Sequence, residues 1–318
     1  MTLRHLGRRL LGLLATLLAA SLALHGALFL APGDPATLLV GGGKPPNPEL
    51  LAEIHRQYHL DDPFLTQYWH WLTGLLHGDA GTSLAQHDTV AHLIGARIGT
   101  TALLIGYAAA LILAAGLTLG TLAGLRGGRT ATAVTAATGT LMAVPTFVSA
   151  VLLIWLFAVR LGWLPAYGDG DGGLGDRLRH LTLPALALAA SWLAYVAQVT
   201  RSAVHAEQGS EHVQTARSRG IPERLVVRRH VLRNASGPIL SVAGVSVAGL
   251  IAGSSVIEQT FGLNGLGALL VQSAARRDLA VVQALALLTV TAFALVNTAV
   301  DLATAALDHR TPIGGAPA

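Results

Sequence analysis

IGTTALLIGYAAALILAAGLTLGTLAGL, residues 98–125, contains no Asp, Glu, Lys or Arg. A helix needs roughly 20 apolar residues to cross the hydrocarbon core, so this run is long enough to span a bilayer. Gly116, Gly120 and Gly124 lie within it as two overlapping GxxxG spacings, and Gly249 and Gly253 form another further on. Such spacing lets helix backbones approach closely. Helices rich in Ala and Gly produce it readily, so it points to packing and to no particular partner.

Five further runs share this freedom from charge: Leu10–Gly33, Thr130–Val159, Leu181–Thr200, Asn234–Ile257 and Leu279–Val300. The expected fold is an all-α membrane protein with six transmembrane helices. Pro63–Gly78 and Gln259–Ala275 are shorter, broken by Gly and polar residues, and read as interfacial or re-entrant segments. Composition agrees: 52% of residues are hydrophobic, 12% are charged, and mean hydropathy is +0.56. Soluble domains carry about 25% charged residues. The chain has no cysteine, which excludes disulfides and Cys-ligated zinc or iron–sulfur centres.

Orientation follows from Lys and Arg near the span ends. Arg4, Arg8 and Arg9 precede the first run, and Arg126 and Arg129 lie between the second and third. Arg201, Arg217, Arg219, Arg224, Arg228, Arg229 and Arg233 lie between the fourth and fifth. Six spans put all three groups on one side, taken as cytoplasmic together with both termini. The net charge of +4 then reports topology, and no nucleic-acid partner is expected. The first run follows a basic start, as in a signal peptide, but exceeds the roughly 7–15 residues of a signal core, so a retained span is expected.

The runs hold no charged residue at depth. Ion-coupled transporters use intramembrane ionisable groups for relay, so a stand-alone secondary transporter is the disfavoured alternative, and a membrane scaffold without flux is a third. Glu258 and Asp301 fall at span ends, where water or headgroups are expected to solvate them. There is no GxSxG or HExxH, and GGGKPP at Gly41–Pro46 lacks the phosphate-loop spacing. His55 and His59 are i, i+4, but no Cys and no second clear pair accompanies them. They read as surface residues of an amphipathic helix, and no metal site is expected.

RSAVHAEQGSEHVQTARSRGIPERLVVRRHVLRNASGPIL, from Arg201, holds the loop between the fourth and fifth runs, on the expected cytoplasmic side. Glu211–Ser218 reads as a short helix, with its acid early and Arg late as the macrodipole favours. Gly220 stands where a left-handed residue ends a helix, and Pro222 suits the first turn of the next. Val213 and Ala216, at i, i+3, give the short helix a shallow apolar face, which is expected to seat in a partner's groove. A loop that merely kept positive charge inside would not need Ala, Gly and Pro in this order.

Here the sequence resembles the inner-membrane permeases of ABC importers, whose loop reads EAA, three residues, Gly, nine residues, I-x-L-P. Aligned on Gly220, the chain offers Gln214-Thr215-Ala216 and His230-Val231-Leu232-Arg233. Gln replaces Glu, His replaces Ile and Arg replaces Pro. TARSRG and HVLRN resemble more directly the dipeptide, oligopeptide and nickel branch. APGDP (31–35), LDDPFLTQYWHWLTGLLHGDAGTS (60–83), LGWLPAYG (161–168), FGLNGLGALL, RRDLAVVQ and LDHR extend the resemblance over nearly the whole chain. Asn264 and His309 stand where that branch often has Pro.

The resemblance implies a type I ABC importer permease fold. It implies an N-terminal helix and outer segment over 1–96, a five-helix core over 97–311 with its coupling loop at about 201–233, and a tail over 312–318. The implied partners are a homologous second permease, two ABC ATPase subunits that bind the ATP, an extracytoplasmic substrate-binding protein and the bilayer. No cofactor and no ATPase chemistry are implied for this chain. Glu211–Ser218 would be the coupling helix, with Ala216 allowing close approach to the ATPase and Gly220 making the turn. Glu211, Gln214, Thr215, Arg217 and Arg219 would face the partner; Leu232 and Asn234 would anchor the loop's return. The implied cargo is short peptides or a related small solute such as nickel.

Overall fold

The computed structural model describes residues 3–30, 48–57, 61–83 and 85–307. APGDP, His59 and residues 308–310 of the last motif lie outside them. The described helices are α1 (Leu3–Phe29), α2 (Pro48–Gln57), α3 (Phe64–Leu76), α4 (Val90–Arg126), α5 (Gly128–Ala143), α6 (Thr146–Arg160), α7 (Leu174–Gln208), α8 (Glu211–Ser218), α9 (Glu223–Phe261), α10 (Leu266–Ala275) and α11 (Leu279–Leu307). Five, namely α1, α4, α7, α9 and α11, are each long and apolar enough to span alone.

The third charge-free run is not one straight span. It is divided into α5 and α6, which meet at a 100° bend, and the pair makes a sixth span if counted together. The cause is Pro145, which forces Val144 into extended backbone (φ −86°, ψ 122°) and starts α6 as its N-cap.

The chain forms two compact units. The first comprises Met1–Thr101 and Asn264–Ala294. In it, α1 packs on α3, where the Ser21 hydroxyl and Tyr68 hydroxyl are 2.8 Å apart and His25 lies among Phe64, Tyr68 and Trp71. Two strands of two residues each, β1 (Thr82–Ser83) and β2 (Asp88–Thr89), pair antiparallel. The buried Ser83 hydroxyl donates to Asp278 Oδ2, tying the GDAGTS and RRDLAVVQ motifs together. Val90, Leu93, Leu269, Val281 and Leu285 fill the core beside them.

The second unit comprises Ala102–Leu263 and Leu295–Ala318, with α7 at its centre. The C-terminal half of α4, together with α5, α6 and α9, packs against α7 around Leu104, Ile112, Leu181, Val196 and Leu250. The GxxxG glycines make this possible. A methyl carbon at Gly120 would stand 2.5 Å from the Ala197 carbonyl oxygen, and one at Gly124 2.8 Å from Val204 Cβ. Gly249 likewise leaves room for the Trp192 indole.

One expectation fails here. Glu258 is not at a solvated span end but fully buried, with 0% exposure, whereas Asp301 is exposed. Helix α9 runs past Ile257 to Phe261, so Glu258 lies inside its last turn. Gly262 (φ +60°) closes the helix as Leu263 N–H donates to the Glu258 carbonyl at 2.9 Å. That turn folds Phe261 and Leu263 into the core around it.

Candidate functional site

The cytoplasmic loop folds as a helix, a tight turn and a helix. The Ser210 carbonyl starts α8 by accepting from Val213 N–H at 3.2 Å and Gln214 N–H at 3.1 Å. Its hydroxyl is turned away, donating to the Glu207 carbonyl at 2.6 Å. At the other end, Gly220 N–H donates to Arg217 at 3.0 Å and Ile221 N–H to Ala216 at 3.3 Å. Those two bonds around a left-handed residue form a Schellman motif, and Gly220 supplies the residue at φ +74°. Pro222 is the N-cap of the next helix rather than its first residue.

The apolar face of α8 is not left for a partner. Val213 (0% exposed) and Ala216 (4%) are buried against Val204, Val226, Val231 and Ala235 of the same chain, with Leu125, Ile221 and Leu232 around them. The expectation that this face seats in an ATPase groove is therefore corrected. The positions that cover it come from the end of α7 and the start of α9. Val226 and Val231 are i, i+5, which in a regular α-helix would diverge. A π turn over Val227–Val231, with hydrogen bonds from i to i+5, brings both onto the face that α8 covers.

Polar groups fix the rim. Arg217 makes a two-pronged contact with Glu223 across the turn, Nη2 to Oε1 at 2.6 Å and Nε to Oε2 at 3.1 Å. That guanidinium holds the Glu223 carboxyl below the usual carboxylate range, and the pairing raises the Arg217 pKa. His212 Nε2 is 3.0 Å from Glu207 Oε1 on α7 and 2.8 Å from Asn234 Nδ2 on α9. Gln208 Nε2 donates to the Gly124 carbonyl at 2.7 Å, stapling α7 to the end of α4.

The sequence-chosen residues thus divide. Glu211, Gln214, Thr215 and Arg219 are exposed along α8 and its end. Arg217 turns to Glu223, Ala216 is buried, Leu232 packs on the cluster and Asn234 meets His212. Glu207, Gln208, His212 and Glu223 were missed. Only Glu223 left a trace in sequence, as an acid just beyond the turn from Arg217. Among the described residues no group of three His, Cys, Asp or Glu could hold a metal, and His55 is paired with Asp61 at 2.7 Å.

Gly220 gives a test of the turn. No atom lies within 4 Å of a methyl carbon built there, so only backbone conformation opposes a side chain. A β-branched residue in the left-handed region costs about 1–2 kcal/mol, and Asn costs less. Gly220→Val is expected to raise tryptic cleavage after Arg219 or Arg224 roughly 5–30-fold, and Gly220→Asn to raise it little. Equal cleavage of the two variants would refute the turn geometry.

Comparison with known proteins gives the chain a family. Residues 116–312 match the family "Binding-protein-dependent transport system inner membrane component" and residues 2–104 its N-terminal counterpart. The oligopeptide transport system permease protein OppB of Salmonella typhimurium is 37% identical over 88% of this chain and 90% of its own. The glutathione transport system permease protein GsiC of Salmonella choleraesuis is 35% identical over 96% and 98%. Among solved structures, the inward-facing MetNI methionine ABC transporter aligns with a TM-score of 0.54 at 19% identity, over 69% of this chain and 98% of that one. An amino acid ABC transporter gives 0.53 at 18%, over 68% and 94%. At such identity the likeness is one of fold, that of type I ABC importer permeases. With full-length relatives above one-third identity and a family match over most of its length, this chain belongs to the binding-protein-dependent inner-membrane permeases of ABC importers, in their peptide branch.

Proposed function

We propose that this chain forms one half of an import pathway for short peptides or peptide-like solutes, and that α8 delivers the movement of a separate ATPase to it. The relatives carry the substrate reading: those named for oligopeptide and for glutathione cover most of this chain at similar identity. Both cargoes share amide backbone, a free amine and carboxylates, so the common chemistry is a small zwitterionic peptide. The complex would hold a homologous second permease, two ATPase subunits that bind ATP, and an external binding protein. This chain itself would bind no nucleotide or cofactor.

The supporting observation for the lever is that α8 rests on the ends of α4, α7 and α9 through buried side chains, with its polar face outward. Packed contacts switch between discrete arrangements and do not stretch, so a push on that face moves the helix ends with it. On this reading the outward residues Glu211, Gln214, Thr215 and Arg219 meet the ATPase, while Ala216, Gly220, Leu232 and Asn234 keep α8 seated.

The test is reconstitution of this chain with the second permease, the two ATPase subunits and the binding protein in vesicles, with a labelled dipeptide and a labelled tripeptide thiol. Uptake is expected only with ATP and binding protein together. Uptake by this chain alone under an ion gradient would replace the proposal with secondary transport.

A further inference from the structure

Three of the charge-free runs converge at one cavity within the second unit. It has a volume of about 540 Å³ and is lined by Gly127, Gly128, Thr132, Thr135, Arg201 and His205, with alanines from α4 and α5 between them. Leu125 and Thr200 end two of those runs and Thr130 begins the third. The cavity therefore lies where the hydrocarbon core gives way to the cytoplasmic headgroup layer.

Its charge is one-sided. No carboxylate is among the described lining residues, and Arg201 is half-buried with no hydrogen-bond or ion-pair partner among the described residues. A half-buried guanidinium with no carboxylate beside it leaves its N–H donors open to an anion that enters the cavity. His205 follows Arg201 by one turn of α7 and lines the same space. The first turn of the 16-residue α5 adds backbone N–H groups without partners in their own helix.

The remaining walls give shape and not donors. Thr132 and Thr135 spend their hydroxyl protons on the Gly128 and Ala131 carbonyls, at 3.2 and 2.7 Å. Gly127 has φ +63° and ψ −159°, a region essentially reserved for glycine, and a methyl carbon there or at Gly128 meets nothing within 4 Å. The α4–α5 turn is thereby kept free of side chains at the cavity's mouth.

We propose that this cavity binds the phosphate of an anionic phospholipid from the cytoplasmic leaflet. The planar guanidinium fork of Arg201 matches two phosphate oxygens, and His205 and the α5 N-terminus offer the next donors. A free phosphate shares that chemistry, but it would gain nothing from the alanines or from the cavity's position at the ends of three apolar runs.

The test uses the purified full-length chain in detergent, titrated with phosphatidylglycerol or phosphatidylcholine and read by native mass spectrometry. Phosphatidylglycerol is expected to bind about tenfold more tightly, and Arg201→Gln with His205→Gln to remove that preference. Arg224→Gln with Arg228→Gln removes exposed charge from the same loop and is expected to leave it intact. Arg201→Lys keeps the charge without the fork and is expected to fall between. Equal loss in both double variants, no lipid preference in the unaltered chain, or displacement of lipid by millimolar inorganic phosphate would each overturn the proposal.

Discussion

Ala216→Asp is expected to release α8 from the membrane-spanning helices while the chain stays inserted. Ala216 is 4% exposed, and the groups around it are Val204, Val213, Val226, Val231 and Ala235. A carboxylate placed there has no cation within the cluster. Leaving a charge so buried costs at least about 3 kcal/mol, roughly a hundredfold in the opening of α8. The spans bury their own surfaces elsewhere, so the damage stays local. Tryptic cleavage after Arg217 and Arg219 should rise by about that factor, and ATPase stimulation by loaded binding protein should disappear. Thr215→Asp provides the contrast, since Thr215 is an exposed neighbour on α8. It is expected to leave cleavage unchanged and to weaken stimulation only through the partner. Cleavage of Ala216→Asp at the unaltered rate would mean that this face is not seated in the chain.

The legible features were those that depend on neighbours in sequence. Charge-free runs announce spans because a bilayer excludes charge over a fixed length. The turn at Gly220 was legible for a similar reason, since its hydrogen bonds join residues at most five apart. The bend at Pro145 left a sequence signal too, but a run defined only by missing charge does not register a residue that breaks helices. The burial of Val213 and Ala216 was hidden, because their cover comes from both α7 and α9 and depends on a π turn that no residue pattern announced. Glu258 ends a charge-free run without ending its helix, because α9 continues through it to Phe261 and buries it. The rim around α8 was half legible, because His212 reaches Glu207 and Asn234 on two other elements.

Gly120→Ala is expected to destabilise the chain by about 1–3 kcal/mol, against a gain of up to about 1 kcal/mol for Gly106→Ala on the same helix. Both changes add one methyl group and both favour helix over coil. They differ in what the methyl meets. At Gly106 nothing lies within 4 Å, whereas at Gly120 the Ala197 carbonyl oxygen stands at 2.5 Å and Thr200 Cβ at 2.6 Å. The first obstacle is backbone, so no side-chain rotation relieves it, and α4 must move away from α7. The two flanking glycines set a graded series. A methyl carbon at Gly124 comes 2.8 Å from Val204 Cβ, and one at Gly116 comes 3.1 Å from Val196 Cγ1. The expected order of damage is therefore Gly120, Gly124, Gly116, then Gly106 as neutral or stabilising. Survival of the monodisperse chain after heating in detergent, followed by size-exclusion chromatography, measures that order. Because α7 continues through Gln208 to the start of α8, separation of α4 from α7 should also loosen the Gln208–Gly124 staple and raise cleavage in the coupling loop. A flat series, with Gly120→Ala as stable as Gly106→Ala, would show that α4 and α7 are not in backbone contact along this stripe.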